Sequence, residues 1–389
     1  MKKILIVTWN FPPKVGGIEN LVWDIYQCLA RHYDVDVLTA GEKSQPDEKS
    51  IYRITSGNPY RFLVGSFLWI LHRRYLSRSC KYDLIVSGSI LVSASTVPAG
   101  IFTSTPVVSV SHGMDMTYHS SLWRLFLKVT LPLNRRVIVN SDQTRANAIS
   151  RGLPENKAFT IHPGIPQRYV EVVEQVEAGN DARERMGLGK KPMLLSVGRL
   201  TRRKGLHPFV RNVMPQLVKT FPEIVLVIVG DDPDQALVKE VRERGERKLI
   251  EQAACELGLQ KNIVLLGNLT DEKEIVELYH AADIFVFPVV HIPHDQEGFG
   301  MVAVEASLTA TPVVATRTGG IPDSVEDGVS GILIDPGDYE NFAEQIKMLL
   351  KDEQAIHKLG TQGQERARAF FTWSYLCRKW VDLVELATK

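Results

Sequence analysis

The sequence has few cysteines, and they are not grouped. The four cysteines are scattered along the chain, without a CxxC pair or a His and Cys cluster at zinc spacing; they are Cys28, Cys80, Cys255 and Cys377. We therefore expect neither a disulfide framework nor a structural metal site. This use of cysteine favours a reducing, cytosolic environment.

Long hydrophobic runs are also missing. No window reaches the roughly 18 apolar residues that a membrane-spanning helix requires. The first apolar run ends at Asn10 and is followed by Pro12-Pro13, so it is too short for the hydrophobic region of a signal peptide. We interpret it as the first strand, and we expect no segment to cross a bilayer.

The common nucleotide-binding motifs are absent as well. There is no GxxxxGK[ST] loop and no GxGxxG after the first strand, which argues against a P-loop NTPase and against ordinary dinucleotide chemistry. Asp34-Val-Asp36 resembles a metal-binding DxD, but it precedes its predicted strand and so belongs to the amino edge of the sheet, away from ligands. Asp231–Asp234 follows a strand at the correct edge, yet it equally suits a helix N-cap.

What the sequence does contain is a regular alternation of short apolar runs and amphipathic stretches. This pattern predicts parallel α/β sheets. With 389 residues and 44% hydrophobic content, two domains are expected. The predicted strands are Ile4–Thr8, Val35–Thr39, Leu84–Ser87, Val107–Ser111, Val137–Asn140, Met193–Val197, Val225–Val229, Ile263–Leu266, Ile284–Phe287, Val313–Thr316 and Gly331–Ile334.

The strand pattern lapses between residues 165 and 190, which places the domain boundary there. We expect two doubly wound, Rossmann-like domains, residues 1–178 and 188–370, with a ligand site in a cleft at the carboxyl ends of the strands. Residues 1–178 hold 20 Lys and Arg against 14 Asp and Glu, a balance of +6, and the remainder holds 26 against 31, a balance of −5. The basic half is expected to meet an anionic surface or substrate.

The most informative stretch is Glu297-Gly-Phe-Gly-Met-Val-Ala-Val-Glu305. It follows a strand that breaks at Pro288, and residues 300–309 have the composition of a helix, whose unsatisfied N–H groups suit a phosphate or sugar oxygens. The two glutamates are eight residues apart, about two helical turns, so both can reach one long ligand at different depths. The plainer alternative is a simple turn with Glu305 solvated.

Four other positions fall at predicted strand ends, and each has a plain structural alternative. Gly16-Gly17 opens a helix where a diphosphate could rest, and His112-Gly113 places an imidazole at a strand exit. Arg199 and Lys204 are two cations five residues apart, a suitable spacing for a pyrophosphate. Gly230 and Leu269 follow neighbouring strands and could contact a nucleobase through their backbones, although turn formation alone would explain them.

Together these motifs resemble the retaining glycosyltransferases of family 4, which have the GT-B fold, and the resemblance extends over nearly the whole chain. It implies that Arg199 and Lys204, with Gly198 and the Gly16-Gly17 loop, hold a donor diphosphate. It also implies that Glu305 binds the ribose and that His112 approaches the sugar. The sugar hydroxyls would be held by Glu297 and the backbone that follows it, namely Gly298, Phe299, Gly300, Met301 and Val302.

The resemblance further implies that the C-terminal helix, residues 371–389, returns to the first domain. In one place the sequence departs from the family pattern, because residues 291–296 form a longer and more His-rich segment than is usual there.

The implied reaction is transfer of a sugar from a UDP- or GDP-linked donor to an acceptor hydroxyl. Two cations and a helix N-terminus can stabilise the leaving diphosphate without a metal or another cofactor. Retention in this family is ascribed to attack on the same face, so Glu297 is not assigned as a nucleophile. Two alternatives remain: a nucleotide-sugar 2-epimerase on the same fold, and a non-catalytic sugar-nucleotide binding protein.

Two stretches of the basic half, residues 61–76 and 122–136, place Trp, Phe and Leu beside Lys or Arg. Such helices can lie in the headgroup plane of an anionic membrane. Alternatively, their apolar faces pack on the sheet of their own domain. We expect a peripheral enzyme at the cytoplasmic leaflet that acts on a lipid-linked or polysaccharide acceptor in cell-envelope glycan synthesis, with no nucleic-acid partner.

Overall fold

Apolar strands and helices alternate along the chain and form two separate parallel sheets. The computed structural model describes residues 1–14, 16–42, 50–76, 81–118, 120–176, 180–233, 245–293 and 295–389. These residues divide into unit 1, residues 1–164 and 373–389, and unit 2, residues 165–372.

Unit 1 contains a parallel sheet of seven described strands in the order β3-β2-β1-β4-β5-β6-β7. The strands are β1 Lys3–Thr8, β2 Asp34–Ala40, β3 Ile51–Ile54, β4 Leu84–Ser87, β5 Val107–Ser111, β6 Arg136–Val139 and β7 Ala158–Thr160. The described α-helices are Gly17–Ala30, Pro59–Tyr75, Ser93–Thr103, Met114–Thr117, Ser121–Thr130, Asp142–Ser150 and Trp373–Ala387, and 3-10 turns occur at Leu131–Leu133 and Glu155–Lys157.

The sheet of unit 1 is buried on both faces. In β1, Ile4 and Ile6 join one hydrophobic cluster while Leu5 and Val7 join another, and all four side chains are fully buried. A strand covered on both sides by helices needs apolar residues at every position, which explains its uninterrupted apolar run.

Unit 2 contains a parallel sheet of six described strands in the order β10-β9-β8-β11-β12-β13. The strands are β8 Met193–Val197, β9 Val225–Val229, β10 Ile263–Gly267, β11 Ile284–Phe287, β12 Val313–Thr316 and β13 Gly331–Ile334. The described α-helices are Gln167–Gln175, Asn180–Arg185, Leu206–Asn212, Met214–Thr220, Glu246–Glu256, Glu272–Ala281, Met301–Leu308, Ile321–Ser324, Tyr339–Lys351 and Glu353–Phe370, and 3-10 turns occur at Arg202–Lys204 and Gln260–Asn262.

The predicted fold class, two Rossmann-like parallel sheets, is confirmed. Two strands at sheet edges, β3 and β7, were not predicted, because one is half-exposed and the other has only three residues. In each sheet the strand order reverses at one point: successive strands are added on one side of β1 or β8, and the later strands are added on the other side. This point lies between β1 and β4 in unit 1 and between β8 and β11 in unit 2. Ligands of such sheets bind at these switch points, beyond the carboxyl ends of the strands.

The two units divide at Gly164/Ile165, at the start of the stretch 165–190 in which the sequence placed the domain boundary, so residues 165–178 belong to unit 2 and not to the first domain. The reason is the helix Gln167–Gln175, whose Tyr169 and Val173 pack into a hydrophobic cluster of unit 2 with Val276, Phe299 and Phe371. The C-terminal helix Trp373–Ala387 belongs to unit 1, where Trp380 and Val384 join the cluster that also contains Val22.

The expectation that the cysteines form no disulfide is wrong. Cys28 and Cys377 are bonded to each other, with their Cα atoms 5.5 Å apart. They are 349 residues apart in sequence, and only the packing of the helix Gly17–Ala30 against the helix Trp373–Ala387 brings them together. Disulfides are rare in a reducing cytosol. The scattered positions of the cysteines therefore do not indicate in which compartment the protein resides.

Among the described helices, none combines the length and the apolar character that crossing a membrane would need. The Asp34-Val-Asp36 pair forms the first residues of β2 rather than preceding it, and it remains at the amino end of the strand. Asp36 is engaged there by Tyr82, whose hydroxyl donates to it over 2.6 Å, and by Lys3.

Candidate active site

The loop after β8 is held against the end of β11 by a glycine. Gly205 has φ +69°, and a Cβ on it would lie 1.9 Å from the carbonyl oxygen of Pro288. No other residue fits there without moving the backbone. This contact seats the 3-10 turn Arg202–Lys204 at the switch point between β8 and β11.

A second close approach joins the ends of β8 and β9. Gly230 has φ +126°, and a Cβ on it would lie 2.0 Å from the carbonyl oxygen of Gly198. The Gly230 N–H donates to the Gly267 carbonyl over 2.7 Å. The fold therefore requires Gly230. Leu269, the other residue proposed beside a nucleobase, is partly buried and packs against the cluster that contains Phe287.

Lys204 and Glu297 meet beyond the carboxyl ends of these strands, although 93 residues separate them in sequence. The Lys204 Nζ lies 2.8 Å from the Glu297 Oε2, and the two side chains are 14% and 12% exposed. The same Nζ lies 4.6 Å from the ring centroid of Phe287. Arg203 completes the group, since its Nε lies 3.4 Å from the same Glu297 oxygen and its Nη1 donates to Asp295 over 2.8 Å.

Burial and mutual charge shift the pKa values of this pair. Burial lowers the pKa of Lys204, and the cations of Arg203 and Arg199 act in the same direction, whereas Glu297 opposes them. Burial acts to raise the pKa of Glu297, but the charges of Lys204 and Arg203 outweigh it, so that pKa lies below its ordinary value. The carboxylate is therefore ionised and neutralises a nearly buried ammonium.

Arg199 differs from Lys204 in having an exposed side chain and no ion pair with any described residue. It is nevertheless close enough for its charge to act on both Lys204 and Glu297. Arg199 is thus a fixed cation open to solvent beside Lys204, which is already paired. That arrangement can accept a multiply charged anion.

Glu305 lies in the helix Met301–Leu308 and is surrounded by tyrosines. Its Oε2 accepts a hydrogen bond from the Tyr279 hydroxyl over 3.2 Å. Burial raises the pKa of this carboxyl to about 7, although the Tyr279 hydrogen bond and the charge of Lys204 act against the rise. The buried hydroxyl of Tyr169 has no hydrogen-bond partner among the described residues, and burial followed by the Glu305 charge raises the pKa of Tyr169.

The residues between the two glutamates connect them through a tight turn. Gly300 is the N-cap of the helix, with φ +88°, and its carbonyl accepts from the Ala303 N–H over 2.9 Å. Phe299 is buried against Phe371, with ring centroids 5.4 Å apart. The backbone of Glu297 is fixed in turn, because its carbonyl accepts from the Gly320 N–H over 2.9 Å. Gly298 is part of this turn, and Met301 and Val302 begin the helix.

In unit 1, His112 follows β5 and its ring orientation is set by a backbone contact. The Nε2 donates to the carbonyl of Gly88 over 2.7 Å, so this ring nitrogen carries a proton. Asp115 fixes the turn, since its carboxylate accepts from the Ser111 hydroxyl over 2.6 Å and from the Gly113 N–H over 3.1 Å.

Gly16 and Gly17 stand at the start of the helix Gly17–Ala30, beyond the end of β1. A Cβ on Gly17 would meet nothing within 4 Å, so open space lies beside this helix N-terminus. Glu19 in the first turn is buried and accepts from the Asn10 amide over 2.6 Å.

The structure therefore groups Gly198, Lys204, Glu297 and Glu305 in unit 2 and places Gly16, Gly17 and His112 in unit 1. Sequence reasoning missed three residues that hold the others in place, Arg203, Tyr279 and Asp115, and it missed Tyr169, whose buried hydroxyl is close enough to feel the charge of Glu305. For Arg203 its position beside Lys204 was a usable signal. The tyrosines gave none, because both lie in ordinary amphipathic helices.

The acidic segment after β9 serves the fold. Asp231 pairs with Arg247 over 3.1 Å, and Asp232 accepts from the backbone N–H of Arg247 in the first turn of the helix Glu246–Glu256. Asp234 lies outside the described residues. Across the described ranges, no three His, Cys, Asp or Glu side chains are grouped so that they could hold a metal ion.

The chain is similar to known proteins in sequence and in fold. Residues 178–366 match the family described as Glycosyl transferases group 1, and residues 15–168 match Glycosyltransferase Family 4. The chain is 26% identical over 387 residues to a GDP-mannose-dependent alpha-(1-6)-phosphatidylinositol monomannoside mannosyltransferase of Mycolicibacterium smegmatis, with 95% of each chain covered. It is 27% identical over 408 residues to a glycogen synthase of Mycobacterium tuberculosis, with 95% of this chain and 91% of the relative covered.

The crystal structure of Anabaena Alr3699/HepE in complex with UDP has the same fold, with a TM-score of 0.78 at 21% identity over 99% of this chain and all of that one. Fold, site and relatives together define a glycosyltransferase. The chain belongs to glycosyltransferase family 4, whose fold is of the GT-B type.

Proposed function

We propose that the protein is a retaining glycosyltransferase that moves a sugar from a UDP- or GDP-linked donor to an acceptor hydroxyl. The observation that carries the proposal is the Lys204–Glu297 ion pair at the switch point of unit 2, with Arg199 exposed beside it. Arg199 and Lys204 bind the donor diphosphate, with Gly198 next to them. Glu305 binds the ribose. The mannosyltransferase relative is GDP-mannose-dependent, which also supports a nucleotide-sugar donor.

The Lys204–Glu297 pair suggests how the donor enters. Without a ligand, Glu297 neutralises Lys204; a diphosphate carries more negative charge and competes for the same ammonium. Glu297 is then released to accept hydrogen bonds from sugar hydroxyls. Because its role is to exchange partners in this way, we assign it to sugar binding and not to nucleophilic attack.

In the reaction, negative charge develops on the diphosphate as the bond to the sugar breaks. Arg199 and Lys204 stabilise that charge, a contribution typically worth 10²–10³ in turnover for each donor. We propose that no metal ion is needed for this step. Turnover that persists at full rate in excess EDTA supports this, and loss of turnover that Mg²⁺ or Mn²⁺ restores contradicts it. His112 and Gly17 of unit 1 are proposed to contact the sugar and the diphosphate.

The acceptor is proposed to be a hydroxyl on a lipid-linked or polysaccharide precursor of the cell envelope. One relative acts on a phosphatidylinositol mannoside and another is a glycogen synthase, so relatives of similar identity differ in acceptor. We propose a cytoplasmic location, peripheral to the membrane. The basic character of residues 1–178 fits the anionic cytoplasmic leaflet.

The test is a panel of labelled UDP- and GDP-sugars, each incubated with and without lipid extract, with released nucleotide and labelled lipid measured separately. Label transferred to lipid, with the anomeric configuration of the donor retained in the product by NMR, is the expected result. Donor isomerised or hydrolysed equally well without acceptor indicates the 2-epimerase. Tight donor binding without turnover under any condition indicates the binding protein.

A further inference from the structure

Three neighbouring helices of unit 1 expose apolar side chains to solvent. They are Pro59–Tyr75, Ser93–Thr103 and Ser121–Thr130. The first two are joined where Phe67 meets Phe102 with ring centroids 6.1 Å apart. Of the twenty large hydrophobic residues exposed in the described chain, eleven lie on these helices or just after them: Tyr60, Val64, Leu68, Tyr75, Leu76, Ile101, Phe102, Leu122, Leu125, Val129 and Leu133. We call these residues the apolar face.

The spacing of these residues is regular. Leu122, Leu125 and Val129 occupy positions i, i+3 and i+7 of their helix and are 77%, 59% and 57% exposed. They form one stripe, while Leu127 of the same helix is buried in the core. A helix on a protein surface normally presents a polar stripe to water. This helix carries an apolar stripe on its outer side as well, which indicates that something covers that stripe.

Charge identifies the covering material. None of the three helices contains Asp or Glu, whereas together they hold five Lys or Arg. Arg61, Arg124 and Lys128 of that set are exposed, and the last two flank Leu125. Exposed cations among apolar side chains, without a compensating carboxylate, suit an anionic bilayer, to which each such cation adds attraction.

A second copy of the chain fits this face poorly. A two-fold contact would bring the same patch of both copies together. Arg124 and Lys128 would then approach Arg124 and Lys128 of the other copy, with no carboxylate on any of the three helices to separate the like charges.

The face also contains a groove of about 360 Å³ between the helices Ser93–Thr103 and Ser121–Thr130. Its walls are almost entirely apolar, and the residues that matter here are Pro98, Ile101, Phe102, Phe126, Val129 and Leu133. The volume lies within the range of about 300–1,000 Å³ that is usual for small-ligand sites. The groove opens on the apolar face and could admit a hydrocarbon chain from the same surface that the face contacts.

We propose that the apolar face docks on an anionic lipid bilayer and that its groove holds one hydrocarbon chain of a lipid. The inference rests on the proposed function only in that a lipid-linked acceptor would be presented at this surface. The docking itself requires no donor, and it is testable without turnover.

The first test is flotation of the full chain with phosphatidylglycerol vesicles and with phosphatidylcholine vesicles, at low and at high salt. The protein is expected to float with phosphatidylglycerol at low salt and to be released as salt rises. Leu122→Glu combined with Leu125→Glu should reduce the bound fraction roughly tenfold or more, because two charged side chains replace apolar contacts. Met348→Glu, on a residue of unit 2 that is 57% exposed against 59% for Leu125, is the control and should bind as the wild type does.

The second test locates the groove. Trp is placed at Val129 or, as the control, at Met348, since both positions are 57% exposed. Vesicles of phosphatidylglycerol with brominated acyl chains should quench the added fluorescence of Val129→Trp and not that of Met348→Trp. Equal quenching in the two variants overturns the groove assignment.

Other outcomes overturn the docking proposal as a whole. Folded protein that stays in solution with phosphatidylglycerol at low salt excludes it, and equal flotation with phosphatidylcholine excludes the anionic partner. A dimer by light scattering that Leu125→Glu converts to a monomer shows that a second copy covers the face. A failure of the proposed function would show separately, as vesicle binding that persists while no donor in the panel is turned over.

Discussion

Neutralising one member of the Lys204–Glu297 pair should destabilise unit 2 more than neutralising both. The two side chains are 14% and 12% exposed, so removal of one leaves the other charge nearly buried. Breaking a buried pair in this way costs about 3–5 kcal/mol. For Lys204→Met we expect the lower end, about 3 kcal/mol, because the Arg203 Nε remains 3.4 Å from the Glu297 oxygen.

The corresponding shift in melting temperature follows from the size of the unit. Unit 2 comprises residues 165–372, and for a domain of that size 1 kcal/mol moves Tm by about 2–4 °C. Lys204→Met should therefore lower the Tm of unit 2 by roughly 6–12 °C. The combination of Lys204→Met with Glu297→Gln removes both charges and should recover most of that loss. Its turnover should stay low, since both donor contacts are gone.

The assay is thermal and guanidinium unfolding of the single and double variants, with initial rates measured on the same samples. Glu174→Gln is the control, because it breaks the exposed ion pair with Arg368 and should cost less than about 1 kcal/mol. Losses that simply add in the double variant, or single variants no less stable than the control, would refute the reasoning that the pair is buried and mutually compensating.

Three further outcomes are expected. Arg199→Ala should lower turnover roughly 10²-fold with no change in Tm, while Arg202→Ala, a neighbouring exposed cation, should keep near-normal rates; equal rates in the two variants would contradict the assignment. Glu297→Gln should bind UDP or GDP more tightly than the wild type by calorimetry, because Lys204 is no longer neutralised, and weaker binding would contradict the exchange of partners. Glu305→Gln should have the wild-type Tm below pH 4.5, the ordinary pKa of a glutamate, and a higher Tm than the wild type above pH 7. The reason is that the pKa of Glu305 is raised to about 7 in the folded protein, so the wild type loses stability as the pH rises from 4.5 to 7. A difference in Tm that is constant with pH would contradict this reasoning.

The central strands could be predicted from the sequence almost to the residue. β4, β5, β8 and β11 have the predicted bounds because strands covered on both faces consist of unbroken apolar runs that end where the chain leaves the core. The edge strand β3 is partly exposed, so its sequence carries no such run. The placement of Glu297 and Glu305 could also be predicted from the sequence, since it depends only on a local turn and helix.

Contacts between distant segments could not be predicted in this way. The pairing of Lys204 with Glu297 depends on Gly205 approaching the backbone of Pro288, which is a tertiary contact. The raised pKa of Glu305 depends on how deeply its helix is packed. The disulfide between Cys28 and Cys377 could not be predicted for the same reason, because a separation of 349 residues does not mark two cysteines as a pair.

The ends of unit 2 lie side by side. The Ile165 N–H donates to the Phe371 carbonyl over 2.7 Å, and Ile165 is bridged to Thr372. Along the chain, unit 2 stands as an insertion between the two segments of unit 1, its host, and a segment with adjacent ends can be replaced without rethreading the host. The proposed diphosphate and ribose ligands Arg199, Lys204 and Glu305 belong to the insertion, whereas the apolar face belongs to the host. A lineage could therefore acquire a new acceptor by recombination in the host while inheriting the donor specificity of the insertion unchanged.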